Sequence, residues 1–513
     1  MKKLFILAIT TAALASCSES DLPGNIATSQ TQDQAVPVAF STYIGETATR
    51  AGETDAISTT KLQDENYGFG VFAYNTGATN WDNNQTSTAP NFMYNQKVAY
   101  NSNSEAWEYA PLKYWPNGKD AANSENNPSN SATEATTQKI SFFAYAPYAE
   151  KVTIDDTEYT LDVTSGEFKN NETTYSNLNE AFGITKFTSN DTQGAPTVTF
   201  KFKGTGTSGQ YDISESKNVD LLWGLRNPGT YFLADASTNT LAANAEDAYN
   251  VDITKPVVGT QIDFKFKHAL AKMGGATTDK SGIMVVADFD ANETDDALAG
   301  AGSLDQKTTI LLNSITIANG VDNENNSTLA AGGVLNLATG KWTASGDKMT
   351  FFKEYNTTGN ASTVNEDVWE KAVPTYSTSE NKWSKTGVTT TAKKVFTGAE
   401  DAIYFIPTVT NSTLEVTVQY TVRTYDANLQ TENNGSACEK HTQTITNNID
   451  IASLQPNKAY TLVIHLGMTS VKFAAVVADW DQADQGTGDN KAEVIWLPSN
   501  VVTESGSGSG SGE

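Results

Sequence analysis

The sequence is poor in the residues that usually carry chemistry. Among its 513 residues are two cysteines, Cys17 and Cys438, three histidines and three arginines. If Cys17 lies at a processed N-terminus, no intrachain disulfide can form, and stability must come from core packing. No two histidines have the spacing of a metal site, and Cys438 has no accompanying motif. We therefore predict no catalytic residues, no metal site and no cofactor.

Positive charge is also scarce. The chain has 34 lysines and arginines against 60 acidic residues, a net charge of −26. Nucleic-acid binding requires clustered positive charge, so this composition argues against it. The same acidity suits a soluble, exposed surface.

Two local patterns resemble functional motifs. Gly204–Gly209 matches G-x-G-x-x-G, but no helical pattern follows, so a hairpin or loop is the better interpretation. Asp288–Asn292 opens like a calcium loop, yet Glu293 and Ala299 occupy the positions that need glycine and a carboxylate. A solvated acidic loop at 288–299 is favoured over an adventitious calcium site. No carboxylate pair marks a glycosidase, although the sequence alone does not exclude one.

A group of aromatic residues lies between two long polar loops, at about 75–91 and about 117–137: Trp107, Tyr109, Tyr114 and Trp115. Such residues can form a sugar-binding platform. At strand spacing and next to prolines they are more typical of a core.

The N-terminus has the pattern of a secretion signal. Two lysines precede a short apolar run, which is too short to span a bilayer, and small residues precede Cys17. Leu14–Cys17 also resembles a bacterial lipobox, which makes residues 1–16 the signal peptide and Cys17 the lipidated residue. An ordinary signal peptide with an incidental cysteine is the alternative.

A β-strand pattern follows at residues 36–45. Val36, Val38, Phe40 and Ile44 fall on one face, which Thr42 interrupts. A polar stretch then leads to Arg50 and Ala51. The strand is interpreted either as provisional, removed by cleavage after Arg50, or as a permanent edge strand.

Two successive groups of short alternating segments predict two β-sandwiches. One clear example is Thr260–Lys267, which alternates strictly, whereas Ala181–Thr185 is apolar without periodicity, so no element is predicted there. The boundary between the groups is placed at residues 257 and 258.

The C-terminus carries a further strand pattern beyond a flexible stretch. Val494 and Trp496 lie on one face, Ile495 and Leu497 on the other, and the sequence does not choose between them. A detachable donor strand and an ordinary last strand are both compatible with this pattern. Residues 505–513 form a Ser/Gly tail.

Several stretches, in order along the chain, resemble the fimbrillin-like (Mfa-like) proteins, which include type V pilus subunits. The matching stretches are the lipobox at Cys17, Lys113–Pro116, Lys139–Pro147, Asp220–Trp223, Phe264–Lys272, Gly333–Trp342, Leu454–Leu462 and Asp479–Trp480. Each stretch alone is weak, but the ordered set is specific.

The resemblance implies an all-β fold of two transthyretin-like β-sandwiches in tandem, with long surface loops. It also implies lipoprotein export, trimming by an Arg-specific surface protease, and polymerisation by donor-strand exchange, in which a strand of one subunit completes a sheet of the next. The predicted segments are 1–16 (signal peptide), 17–50 (lipidated propeptide with the provisional strand), 51–257 and 258–490 (the sandwiches), 491–504 (candidate donor strand) and 505–513 (tail).

Two features support this scheme independently of the resemblance. Of the three arginines, Arg226 and Arg423 lie in or beside strand patterns, whereas Arg50 lies in a long polar segment. The strand pattern at 491–504 is separated from the body by a flexible stretch, as a donor requires. A tip subunit would have no use for such an extension, so a shaft subunit is favoured.

The sequence therefore predicts a non-enzymatic pilin that supports adhesion. Its predicted partners are copies of itself or related pilins, the protease, outer-membrane lipid through Cys17, and host or bacterial surface ligands. Its predicted location is the outer membrane and then the surface fimbrium. The alternative is a monomeric surface lipoprotein that binds a glycan or host protein.

Overall fold

The structure is a computed structural model, and parts of the chain are described. The described residues are 36–44, 59–64, 67–116, 138–211, 218–226, 233–235, 240–241, 249–256, 260–274, 282–286, 308–319, 329–354, 369–370, 375–377, 379–380, 382–384, 393–395, 402–408, 412–425, 438–451, 454–466, 471–479 and 494–496.

Within these residues the chain is built almost entirely of strands. The first are β1 (Phe40–Ile44), β2 (Phe69–Gly77), β3 (Met93–Asn101), β4 (Ala106–Glu108), β5 (Lys139–Ala146), β6 (Lys151–Ile154), β7 (Thr157–Asp162), β8 (Glu167–Asn170), β9 (Thr173–Thr174), β10 (Gly183–Phe187), β11 (Thr197–Lys201), β12 (Leu222–Leu225), β13 (Leu233–Asp235), β14 (Thr240–Leu241), β15 (Asn250–Ile253) and β16 (Ile262–His268). The others are β17 (Ala271–Gly274), β18 (Gly282–Val286), β19 (Thr308–Asn319), β20 (Ala330–Asn336), β21 (Trp342–Lys348), β22 (Thr350–Glu354), β23 (Trp369–Glu370), β24 (Thr375–Ser377), β25 (Lys382–Ser384), β26 (Lys393–Val395), β27 (Ala402–Phe405), β28 (Ser412–Tyr425), β29 (Cys438–Ile451), β30 (Lys458–Leu466), β31 (Val471–Asp479) and β32 (Val494–Trp496).

Helices are short. They are α1 (Thr59–Leu62), α2 (Trp81–Asn84) and two 3₁₀ turns at Gln85–Ser87 and Tyr175–Asn177. The predicted all-β fold class is confirmed. Over the described ranges, no helix is long and apolar enough to cross a membrane.

The first sheet has the strand order β1-β16-β12-β5-β2-β3-β4, and β15 also pairs with β5. It is buried on both faces, as its central strand β5 shows. Phe143 and Tyr145 pack in one hydrophobic cluster, while Ile140 and Phe142, which alternate with them, pack in another. A strand buried on both sides gives a nearly continuous apolar sequence.

The second sheet has the order β21-β20-β11-β10-β8-β7-β6, and β9 also pairs with β8. Its side chains share a cluster with one face of the first sheet. Phe187 of β10, for example, lies 5.0 Å from Tyr145 of β5, measured between ring centroids. The opposite face of the first sheet therefore needs a different cover.

Two further large sheets come from later residues. One has the order β26-β18-β30-β17-β27, with β31 on β30 and β32 on β31, and the other has the order β22-β19-β28-β29, with β23 on β19. Their rings meet where Phe351 and Phe405 lie 6.2 Å apart. Two two-stranded ribbons, β13-β14 and β24-β25, complete the described strands.

The predicted boundary at residues 257 and 258 does not coincide with a break between sheets. Strand β16 pairs with β12 in the first sheet, and β20 pairs with β11 in the second. Strands from both sides of the boundary therefore share hydrogen-bonded ladders. The cause is pairing between residues more than a hundred positions apart, such as Val198 and Leu335. The number of domains and their limits stay a prediction.

Several of the family-like stretches meet in one place, which we call the tryptophan junction (Asp220, Trp223, His268, Gly340 and Trp342). The indole of Trp223 donates to the Leu337 carbonyl over 2.8 Å, and that of Trp342 donates to the Ala269 carbonyl over 2.8 Å. Nδ1 of His268 lies 2.9 Å from Oδ2 of Asp220, and both side chains are buried. These residues tie early and late strands together, which gives the shared motifs a structural role.

Candidate assembly groove

Residues 36–44, which we call the plug segment, lie between two stretches of backbone. On one side are Lys113–Trp115, just after β4, and on the other is β16. The plug segment thus links β16 to a loop that follows β4, the strand at the other end of the first sheet. We call the site that holds it the assembly groove, lined by Lys113–Trp115, Ile262–Phe266 and neighbouring aromatic rings.

Backbone hydrogen bonds form on both sides of the plug segment. The Val38 amide donates to the Lys113 carbonyl, and the Trp115 amide donates to the Val36 carbonyl, both over 2.9 Å. On the other side, the Ile262 amide donates to the Ala39 carbonyl over 2.8 Å. Residues Phe40–Ile44 then run parallel to Ile262–Phe266 in the β1–β16 ladder.

The apolar face of the plug segment points into the protein. Val36, Val38 and Phe40 are 4%, 1% and 1% exposed, while Pro37 is exposed. Burying each of the three contributes about 1.5–3 kcal/mol. The plug segment is therefore part of a hydrophobic core.

Phe40 is the centre of this contact. Its ring lies 5.4 Å from Tyr109, 6.0 Å from Phe142, 6.0 Å from Phe264 and 6.3 Å from Phe69, measured between centroids. These rings belong to the cluster on the second face of the first sheet. Without the plug segment, this face would lose part of its cover and two backbone edges would lose their hydrogen bonds, both of which are unfavourable.

The fit of the plug segment is incomplete. The hydroxyl oxygen of Thr42 and the indole nitrogen of Trp115 are buried, and neither has a hydrogen-bond partner among the described residues. A buried polar atom without a partner costs about 1–3 kcal/mol. Parallel pairing, as in the β1–β16 ladder, is also slightly less stable than antiparallel pairing. Both features lower the free energy needed to remove the segment.

The hydroxyl of Tyr109 links the plug segment to the loop at Lys113–Trp115 through hydrogen bonds. Its hydroxyl donates to the Val38 carbonyl over 2.8 Å and accepts from the Lys113 amide over 3.2 Å. Burial raises the pKa of the Tyr109 phenol to about 12, against a smaller opposing effect of its contact with the Lys113 backbone. The phenol is therefore protonated, and able to donate, at neutral pH.

Replacing Tyr109 by phenylalanine is expected to lower the free energy of unfolding of the uncleaved chain by about 1–2 kcal/mol, because the Lys113 amide and the Val38 carbonyl lose their link. Urea unfolding followed by tryptophan fluorescence measures this change. Tyr114→Phe is the matched control, since Tyr114 is 49% exposed. Equal losses in the two variants would contradict the assigned role of the Tyr109 hydroxyl.

The predicted site residues divide into those that the structure describes and those that it does not. Val36, Val38 and Phe40 are buried in the assembly groove, and Ile44 ends β1. The predicted lipidation residue Cys17, the predicted cleavage site Arg50–Ala51 and Leu497 lie outside the described residues. Lipidation and cleavage therefore stay predictions.

The predicted donor residues are described only in part. The backbone of Val494–Trp496 forms β32, which pairs antiparallel with β31 so that Trp496 lies opposite Ala474 and Val494 opposite Val476. This places the segment beside β31, at the end of the pairing path from β30 through β31 to β32. An attachment through one short ladder is compatible with both interpretations of the segment.

Sequence reasoning missed the walls of the assembly groove. The aromatic residues weighed as a core or as a sugar platform lie there: Trp115 is 2% exposed, Tyr114 is 49% exposed, and Trp107 and Tyr109 are half-buried. The signal that could have found the groove is β5, whose apolar residues on both faces require a cover on each side.

The structure gives no support for a functional site at the other candidate motifs. Gly204 pairs with Tyr211 across a turn, as a loop does, and no helix follows it in the described residues. The calcium-like stretch 288–299 lies outside the described residues. In the described part of the chain, no group of three metal-ligating side chains occurs.

Comparison with known proteins shows what this chain is similar to. No protein-family model matches the chain. The fimbrium subunit Fim1C of Phocaeicola vulgatus is 30% identical over 202 residues, which are 39% of this chain and 38% of that protein. The chain thus aligns with less than half of this relative's length.

A crystal structure of a fimbrial protein from Bacteroides vulgatus is 20% identical, with a TM-score of 0.49 over 87% of this chain and 99% of that one. The argument from similarity therefore depends on the sequence match to the fimbrium subunit. With that match, the resemblance to fimbrillin-like proteins that the sequence motifs indicate is confirmed.

Proposed function

We propose that this chain is a structural pilin, a shaft subunit that polymerises into surface fimbriae by donor-strand exchange and supports adhesion. One observation carries the proposal. A buried, doubly hydrogen-bonded strand lies only a few residues before Arg50, so one cut would detach it from the body.

Cleavage at Arg50 is favoured by what surrounds the other two arginines. Arg226 is exposed, but it directly follows β12, which is paired on both sides with β5 and β16. Arg423 lies within β28, paired with both β19 and β29. Proteases need locally unfolded backbone, which such paired strands do not offer.

Cleavage changes the thermodynamics of the groove. While the chain is intact, the plug segment is held at a high effective concentration, and after the cut this advantage is lost. An empty groove exposes apolar surface and unpaired backbone groups, which another strand can satisfy. In our proposal that strand is the segment 491–504 of a second copy or a related pilin.

The remaining steps of the proposal, membrane attachment and release, concern the N-terminal segment. Lipid on Cys17 would hold the precursor in the outer membrane, and an Arg-specific surface protease would release it into the fimbrium. A structural role is in keeping with the similarity to a fimbrium subunit.

The test is assembly of the full chain after treatment with an Arg-specific protease. Unboiled samples are expected to give a ladder of oligomers on denaturing gels, and mass spectrometry a new N-terminus at Ala51. Arg50→Gln and deletion of 492–513 should each abolish the ladder, because the first retains the plug and the second removes the donor.

Arg226→Gln is the matched control and should assemble like the unmodified chain. An undiminished ladder from Arg50→Gln would contradict cleavage as the trigger. An undiminished ladder from the deletion variant would show that the donor is another segment.

A further inference from the structure

The position of Pro37 shows where a strand in the assembly groove can contain a proline without losing a hydrogen bond to Lys113–Trp115. Val36 and Val38, on either side of it, use their backbone groups to bond Lys113–Trp115, while Ala39 bonds Ile262 on the opposite side. Pro37 itself lies opposite Tyr114 and is exposed. Its nitrogen, which has no hydrogen to donate, is therefore not needed by the Lys113–Trp115 edge. A proline one residue later would remove the bond from the Val38 amide.

The C-terminal sequence has the same type of residue as the plug segment, apolar, proline or threonine, at four equivalent positions. In the plug segment an apolar residue, proline, a second apolar residue and threonine occur as Val36, Pro37, Phe40 and Thr42; in the C-terminal segment the same spacing gives Leu497, Pro498, Val501 and Thr503. Residues 22–28 also have this spacing, but they precede Arg50 and would leave with the plug segment.

We propose that the C-terminal segment of a second copy enters the assembly groove in the same direction as the plug segment, parallel to β16, with Pro498 opposite Tyr114. Leu497, Ser499 and Val501 then take the places of Val36, Val38 and Phe40, so two of these three buried positions keep an apolar side chain. This inference rests on the proposed function and specifies the register and the inward face of the donor.

A competing register places Trp496 where Phe40 lies, and it is disfavoured by the residues that would then pair with β16. The five plug residues in that ladder are Phe40–Ile44. In the competing register their places are taken by Trp496–Asn500, which include Pro498 and Asn500, two residue types that are depleted in strands. In the proposed register they are taken by Val501–Ser505, which begin with Val-Val-Thr, three β-branched residues that favour strands.

Engineered disulfides test the register. The bonds on either side of the Pro37–Tyr114 pair make it a non-hydrogen-bonded pair, whose Cα atoms are typically about 4.5 Å apart, within the range of a disulfide. In full chain carrying Cys17→Ser and Cys438→Ser, Tyr114→Cys is combined with either Pro498→Cys or Glu493→Cys. Each protein is cleaved with an Arg-specific protease, allowed to assemble, and oxidised.

Tyr114→Cys with Pro498→Cys is expected to give at least about tenfold more reductant-sensitive ladder than the pair with Glu493→Cys, since thiols that are not adjacent cannot be bridged. Pro37→Cys with Tyr114→Cys in the uncleaved chain is the positive control and should cross-link within one molecule. Preferential cross-linking from Glu493→Cys would establish the competing register and overturn the proposal. A non-covalent ladder without either cross-link would overturn the direction. Absence of any ladder, in the parent protein as well, would instead refute the proposed function and this inference with it.

Two neighbouring valines give a second measurement that needs no cross-link. Val501→Asp is expected to reduce the ladder by more than about tenfold, because an unpaired carboxylate would be buried beside the aromatic rings. Val502→Asp, on the outward face, should assemble like the parent. Equal effects of the two substitutions would contradict the proposed inward face.

Discussion

Replacing Phe40 by alanine is expected to lower the free energy of unfolding of the uncleaved chain by about 3–5 kcal/mol. Phe40 is 1% exposed and its ring is surrounded by those of Phe69, Tyr109, Phe142 and Phe264. Alanine would leave a cavity among these rings, which cannot all move to fill it. The substitution therefore weakens the packing of the plug segment against the rest of the first sheet.

The measurement is urea unfolding of Arg50→Gln chain with and without Phe40→Ala, followed by the fluorescence of nearby tryptophans such as Trp115. Phe352→Ala is the matched control, because Phe352 is 43% exposed, and it should cost much less. In cleavable chain, Phe40→Ala should also speed ladder formation, since the weakened plug leaves sooner. Slower assembly would show that the plug segment promotes assembly and does not delay it.

Replacing Gly340 by alanine is expected to destabilise the chain by more than about 4 kcal/mol, which is exceptional for a single added methyl group. A Cβ at this position would lie 2.1 Å from the Trp223 ring, and the φ of Gly340 is +69°. The Trp223 ring cannot move away easily, because its indole donates to the Leu337 carbonyl and the side chain is 2% exposed.

Gly77 provides the control for this substitution. Its φ is +64°, nearly the same, but nothing lies within 4 Å of an added Cβ. Gly77→Ala should therefore cost only about 1–2 kcal/mol, the conformational part of the effect. Thermal unfolding and soluble yield of the two variants separate the two contributions. Similar losses would show that the tryptophan junction adapts to the methyl group.

The sequence predicts the all-β class well, because strands with one buried face show their period directly. In β16 the side chains of Ile262, Phe264 and Phe266 are buried, while Asp263 and Lys265 between them are half-buried. Residues Ala181–Thr185 gave no such signal although Gly183–Phe187 form β10. Three consecutive residues of that strand, Gly183, Ile184 and Thr185, are buried, so burial does not alternate with polarity.

What the sequence could not show are contacts between distant residues. Local patterns place β11 and β20 in different domains, yet Val198 and Leu335 are register partners. The assembly groove has the same origin, since its walls come from Lys113–Trp115 and from β16. The apolar face of the plug segment was visible in the sequence, but its parallel direction along Ile262–Phe266 depends on the tertiary fold.

The two rows of hydrogen bonds along the plug segment also have a mechanical consequence. A strand bonded at Lys113–Trp115 on one side and at β16 on the other, when pulled along its own axis, is loaded in shear, so its bonds resist together and do not open one after another. If a donor strand occupies the same place, tension along a fibre acts on each junction in this geometry. The arrangement that lets a strand be exchanged sideways, one bond at a time, would then be the one that resists lengthwise force.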